Sequence, residues 1–183
     1  MDIKKIFRKY ILIYENDISF GNFSLPQDDL NEILKGYMEA ALWTEEERLR
    51  DDYQETVGDS NDDFEDDDED DEVEKLIKMR NKLAQTPFTS FMINDVENDS
   101  RIQAYLDVKN FIQLSGPDAI KEAILLNCFF KLGMDIWLTR NGHGAGFFDH
   151  NYEHEQQLMD AARKIKGVDL YLTDNMTLAF SNV

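Results

Sequence analysis

Cysteine is almost missing from this chain: Cys128 stands alone, inside the apolar run 125–130. One thiol excludes an internal disulfide framework and predicts a reducing, intracellular setting. Read as a small hydrophobe among apolar neighbours, Cys128 is expected to be buried. Long apolar runs are missing too; none approaches the ~20 residues that a membrane span requires. The start, Met1-Asp2, lacks the basic head, apolar stretch and small-residue cleavage site of a secretory signal. Together these predict a cytoplasmic protein with no membrane partner. Basic residues are scarce, 19 Lys and Arg against 38 Asp and Glu. Without a net basic footprint, direct binding of DNA or RNA is disfavoured. The three prolines, Pro26, Pro87 and Pro117, all fall at predicted element boundaries.

What is present is an uneven surplus of acid. The net charge is −19, and residues 59–74 hold twelve acidic side chains and no basic one. Without those twelve charges the chain carries −7, moderate for a single domain. The tract cannot bury apolar area to offset its ordering entropy, so it predicts a disordered loop at about 58–72. Such runs are usually solvated, though a basic partner could be attracted to this one by charge steering. Apolar residues make up 42% of the chain and aromatics 11%, enough for one core.

Periodicity predicts the elements. Residues 3–14 carry an apolar stripe opposite Lys4, Lys5, Arg8 and Lys9, readable as helix or strand in an arm spanning 1–25. Leu30, Ile33, Leu34, Tyr37, Met38, Ala41 and Leu42 lie on one helical face, started by Pro26 with Asp28 and Asp29 and ending near Trp43-Thr44. Val73, Leu76, Ile77 and Leu83 suggest a short helix. Another begins near Ser100, with Asn98 or Asp99 as cap and Ile102, Tyr105, Leu106 and Ile112 inward. Gly116-Pro117-Asp118 opens a third, apolar nearly all round and closed at Gly133, which reads as the central core element.

The last third reads as 135–140 strand, 141–144 turn and 146–148 returning strand, then a helix from about Tyr152 to Gly167, then a hairpin of 168–173 and 177–180. The fold class is therefore α+β: a helical N-terminal two-thirds followed by a small antiparallel sheet of β-hairpins with one packed helix, in a single domain over 26–183.

The densest feature is Trp137-Leu138-Thr139-Arg140-Asn141-Gly142-His143-Gly144-Ala145-Gly146-Phe147-Phe148-Asp149, in which three of the nine glycines alternate within five residues. Alternating glycines serve backbones that need positive φ or close approach. The loop lacks the phosphate-binding spacing Gly-x-x-x-x-Gly-Lys-Ser/Thr. One reading is structural, with Arg140 paired to Asp149 or Asp135. The other is functional: Arg140, Asn141 and backbone N–H groups hold an anionic or carbonyl group, and His143 is the candidate catalytic acid/base. Trp137 and Asp149 belong to the same candidate surface. Trp43 fits a core position or an exposed anchor, the core being the first reading. All three histidines fall within twelve residues, and His150-Asn151-Tyr152-Glu153-His154 spells the His-x-x-Glu-His zinc spacing. With no third ligand in view, His150 and His154 read first as solvated histidines at a helix start and as weak metal candidates. No cofactor is predicted.

Tyr37-Met38-Glu39-Ala40-Ala41-Leu42-Trp43-Thr44, the block 135–149 and Asp169-Leu170-Tyr171 with its acidic turn together resemble a family of small proteins encoded widely in tailed bacteriophages, of unassigned biochemical role. The resemblance spans about 33–57 and 98–178. It implies phage or prophage origin and expression in a bacterial host's cytoplasm, and supplies no reaction. The chain departs from the family pattern at Leu132-Gly133-Met134, at His150, and in the acidic tract and N-terminal arm. Two function classes follow: an accessory protein that binds a host or phage macromolecule, a protein being the expected partner, or a small enzyme or anionic-ligand binder.

Overall fold

A computed structural model describes residues 18–20, 23–58 and 90–182. The stripe at 3–14, the acidic tract and the short helix at 73–83 lie outside these. An antiparallel pair of short strands, β1 (Ile18–Phe20) and β2 (Phe23–Leu25), leads through Pro26 into α1 (Gln27–Gly58). A single turn, Ile93–Asp95, precedes α2 (Asn98–Asn141), which bends twice. Another single turn, Phe147–Asp149, then α3 (Glu155–Lys164) and a hairpin of β3 (Val168–Leu172) and β4 (Leu178–Asn182) complete the chain. The architecture is α+β: long helices first, then one packed helix and a two-stranded antiparallel sheet.

The predicted stripe of α1 is its buried face, from Leu30 to Leu42. The helix does not stop at Thr44, however. Leu49 continues the stripe, and Arg48 reaches Glu45 at 2.8 Å and Asp52 at 3.3 Å. Pairs at these spacings support a helix that is otherwise highly charged.

α2 is three helical segments joined at two residues with positive φ, Gly116 (φ 73) and Cys128 (φ 67). The segment 98–115 buries Ala104, Tyr105, Val108, Phe111 and Ile112, while Leu106 points to solvent on the opposite face. Neither Asn98 nor Asp99 is the cap; Glu97 holds that position without a side-chain hydrogen bond. The segment 117–127 buries Ala119, Ile120 and Ala123 but leaves Leu125 84% exposed and Leu126 60% exposed. It is an amphipathic flank rather than the centre of the core. Cys128 is exposed as well, because the bend turns it outward.

The centre is the segment 129–141, where the expected strand 135–140 is replaced by helix. Its β-branched and aromatic content suggested strand, but tertiary burial outweighs that weak preference. Leu132, Gly133, Ile136, Trp137 and Arg140 share one helical stripe, and all are buried. Gly133 is a contact residue rather than a cap: a Cβ there would overlap the Ile33 carbonyl oxygen of α1. A Cβ at Gly36 would likewise overlap the Phe130 carbonyl oxygen. Two glycines thus let the two backbones touch where α1 crosses α2.

The actual stop is Gly142, left-handed at φ 70, with its own N–H bonded to Thr139 O and that of His143 to Leu138 O at 3.1 Å. The expected returning strand at 146–148 is instead a single turn closed by the Asp149 carboxylate, which accepts from Gly146 N at 3.1 Å. Only the second predicted hairpin forms, pairing Leu170 with Phe180. Its far edge is covered by Val96, beside Leu178, and by Glu97 N donating to Leu178 O at 2.7 Å.

Candidate functional site

The glycine loop 142–146 leaves the C-terminus of α2 and returns to the core at Phe147. Gly146 (φ 134) has no room for a side chain, because a Cβ would strike Thr139 Oγ1. That same oxygen accepts from Phe147 N at 3.1 Å. Gly142 and Gly144 (φ 72) face open space, so their requirement is conformational alone.

Arg140, just before the loop, points inward and is 8% exposed. Its Nη1 lies 2.5 Å from Asp107 Oδ2 and also donates to the Tyr37 hydroxyl. Nε donates to Lys166 O at 2.9 Å, and Nη2 donates to the same carbonyl. Gln103 Nε2 satisfies the other Asp107 oxygen at 2.8 Å. One guanidinium therefore ties α1, two segments of α2 and the α3–β3 connection together. Burial pushes the Tyr37 phenol well above its ordinary value, against the opposing pull of Arg140. The expected partners Asp149 and Asp135 are engaged elsewhere.

Asn141 also serves the fold: its Oδ1 accepts from Val168 N at 3.0 Å and positions the start of β3, while its Nδ2 is buried without a hydrogen-bond partner among the described residues. Trp137 is fully buried, edge-on to Tyr37 at 5.2 Å, with Nε1 donating to Thr44 Oγ1 at 2.9 Å.

The surface beside the loop holds the remaining candidates. Trp43 is 64% exposed on α1, one residue beyond the buried stripe. The ring of His143 lies parallel to Trp137 at 6.5 Å, with Nε2 4.0 Å from Glu45 Oε1. Trp43, His143, Leu138 and Ala145, with the charged side chains Glu46, Glu47 and Arg50, line an open groove of about 480 Å³. On its other side Trp43 borders a smaller depression of about 160 Å³ with Glu39, Glu46, Leu49 and Phe91. The structure thus brings Trp43 and His143 to one groove and withdraws Trp137, Arg140 and Asn141 from it. Asp149 is exposed but turned to its own loop.

His150 and His154 do not converge. His150 Nε2 sits 3.2 Å from Asp135 Oδ2, in a polar knot where Asn127 Nδ2 donates to Tyr152 OH at 2.8 Å. Burial raises the Asp135 carboxyl above its ordinary value, and raises the Tyr152 phenol to about 12. His154 Nδ1 lies 2.7 Å from Glu122 Oε2, which also accepts from His154 N at 3.0 Å. Burial works against the Glu122 carboxylate, yet hydrogen bonds from Glu153 N–H and from His154 hold it below its ordinary range. α3 begins at Glu155, so the two histidines precede the helix that would have aligned them. Among the described residues no three His, Cys, Asp or Glu side chains are grouped to hold a metal ion.

The sequence reading missed Asp107, Gln103, Glu39 and Glu46. A signal existed for Asp107, which sits at helical spacing among Ala104, Val108 and Phe111 on an apolar face. A buried carboxylate on such a face requires a cation. No protein-family model, curated protein or solved structure matches the chain.

Proposed function

We propose that this chain is a phage-encoded accessory protein that binds a host or phage protein through the groove between α1 and the glycine loop. The supporting observation is Trp43: a large indole left 64% exposed on a firmly packed helix, beside the unusual loop. Exposed tryptophans on rigid elements are the side chains that most often anchor protein–protein interfaces. The competing reading, a small enzyme or anionic-ligand binder, needs Arg140 and Asn141 free to hold the ligand. Both are held inside the fold, and the cation that does line the groove with His143, Arg50, is paired with Glu46 at 3.2 Å. No helix among the described residues is long and apolar enough to cross a membrane. A partner of host origin would make host takeover or counter-defence the biological role.

The test is affinity purification from host lysate at low and moderate salt, with the parent and a Trp43→Ala/His143→Ala variant that melts like the parent. A partner retained by the parent and lost by the variant is the expected result. Equal capture by both would overturn the groove as the recognition surface.

A further inference from the structure

We infer that the groove around Trp43 takes an arginine-bearing segment of the partner protein, an inference that rests on the recognition reading above. The argument is the charge around the indole. Glu39, Glu46 and Glu47 stand at i−4, i+3 and i+4 from Trp43 and so share its face of α1. Glu39 and Glu46 border the depression on one side, Glu46 and Glu47 the groove on the other. Arg50 also lines the groove and is paired with Glu46 at 3.2 Å, so that pair is neutralised and the charge left to answer is that of Glu39 and Glu47. Glu39 and Glu47 have no ion pair or hydrogen bond among the described residues.

An indole face carries negative quadrupole density, and carboxylates beside it add to the same potential. An apolar or anionic partner covering this surface would strip water from Glu39 and Glu47 and give nothing in return. A guanidinium answers both needs, because its plane stacks on the indole while its edge donates to carboxylates. Lysine offers a point charge without the stacking plane, so arginine is the better fit. The net charge of −19 steers a cationic partner to the molecule from a distance, while the local arrangement selects where it seats.

A fluorescein-labelled hexa-arginine peptide, titrated at physiological salt and followed by anisotropy and by tryptophan emission, tests this. Emission should respond in the parent and not in Trp43→Leu, and hexa-lysine should bind more weakly. Glu39→Gln/Glu47→Gln should weaken hexa-arginine about tenfold, as the loss of a stacked cation with its carboxylates implies. Asp118→Asn/Asp160→Asn, which removes two charges from α2 and α3, should change it little. If that control weakens binding equally, or if emission is unmoved at saturation, the attraction is generic charge and the inference falls. The two readings part in the lysate experiment. A partner lost by Trp43→Ala/His143→Ala but kept by Glu39→Gln/Glu47→Gln preserves recognition and rejects the arginine seat. A partner kept by both variants rejects the groove itself.

Discussion

Arg140 and Trp43 exchanged the places that residue chemistry alone suggests for them. The cation is inside and the indole outside, and each has a local cause. The Arg140 guanidinium finds a carboxylate, a phenol and a carbonyl that between them give each of its nitrogens an acceptor. Trp43 falls beside the buried stripe of α1, one residue round the helix from Leu42. Removing one member of a buried ion pair strands the other, so Arg140→Met should cost about 3–5 kcal/mol in urea unfolding. Arg140→Met/Asp107→Leu should cost less than that single change, because no charge is left unpaired. A double variant less stable than Arg140→Met would disprove this account.

Asp135 behaves differently. Its folded carboxyl titrates above the unfolded one, so its contribution is fully present below the unfolded value, ~3.9, and is lost as pH rises through the folded value. Asp135→Asn should therefore unfold at higher denaturant than the parent at pH 7, with the gap narrowing toward pH 4.

Helix α2 owes its path to its joints and its contact with α1. Where Gly36 and Gly133 bring backbones together, an added methyl group has no space to enter. Gly36→Ala and Gly133→Ala should each lose about 3 kcal/mol, since the obstacle is main chain that cannot rotate away. Gly144→Ala meets nothing and should lose only about 1 kcal/mol for its positive φ. Gly144→Val should lose more, because a β-branched residue resists that conformation further. Chemical denaturation of the four variants separates packing from conformation. Cys128 presents the reverse case, at φ 67 and ψ 165, a region that glycine alone occupies comfortably. Relief of that strain outweighs the added freedom of the unfolded chain, so Cys128→Gly should raise stability by about 1 kcal/mol. A lower melting temperature would contradict it.

The connector between α2 and α3 is held to the rest of the molecule by side-chain bonds at both ends. Asp135 and Asn127 hold His150, and Glu122 holds the chain at 153–154. The Glu122 carboxyl titrates below its unfolded value, so its stabilisation is present above that value and disappears as pH falls through the folded one. The parent should thus lose stability in acid, below about pH 4.3. Glu122→Gln should be less stable than the parent at pH 7 and show a shallower acid limb when the midpoint is followed against pH. A parallel acid limb in the variant would show that Glu122 is not one of the groups responsible.

Local patterns determined a good part of this protein. The stripe from Leu30 to Leu42 meant helix because its period matches 3.6 residues, and 168–180 meant hairpin because two short runs flank a turn. The alternating glycines of 142–146 meant a left-handed backbone because side chains resist it, and all three adopt positive φ. Of the residues around the groove, Trp43 and His143 were legible by name, whereas Glu39, Glu46 and Glu47 were not. Only the tertiary structure decided that 135–140 is helix, since burial on nearly every side erases the periodicity that would announce one. It alone decided that Arg140 meets Asp107 from 33 residues earlier and that Glu39, Trp43 and His143 frame one surface. Those outcomes depend on which distant segments exclude water from which side chains, and no window along the chain contains that information.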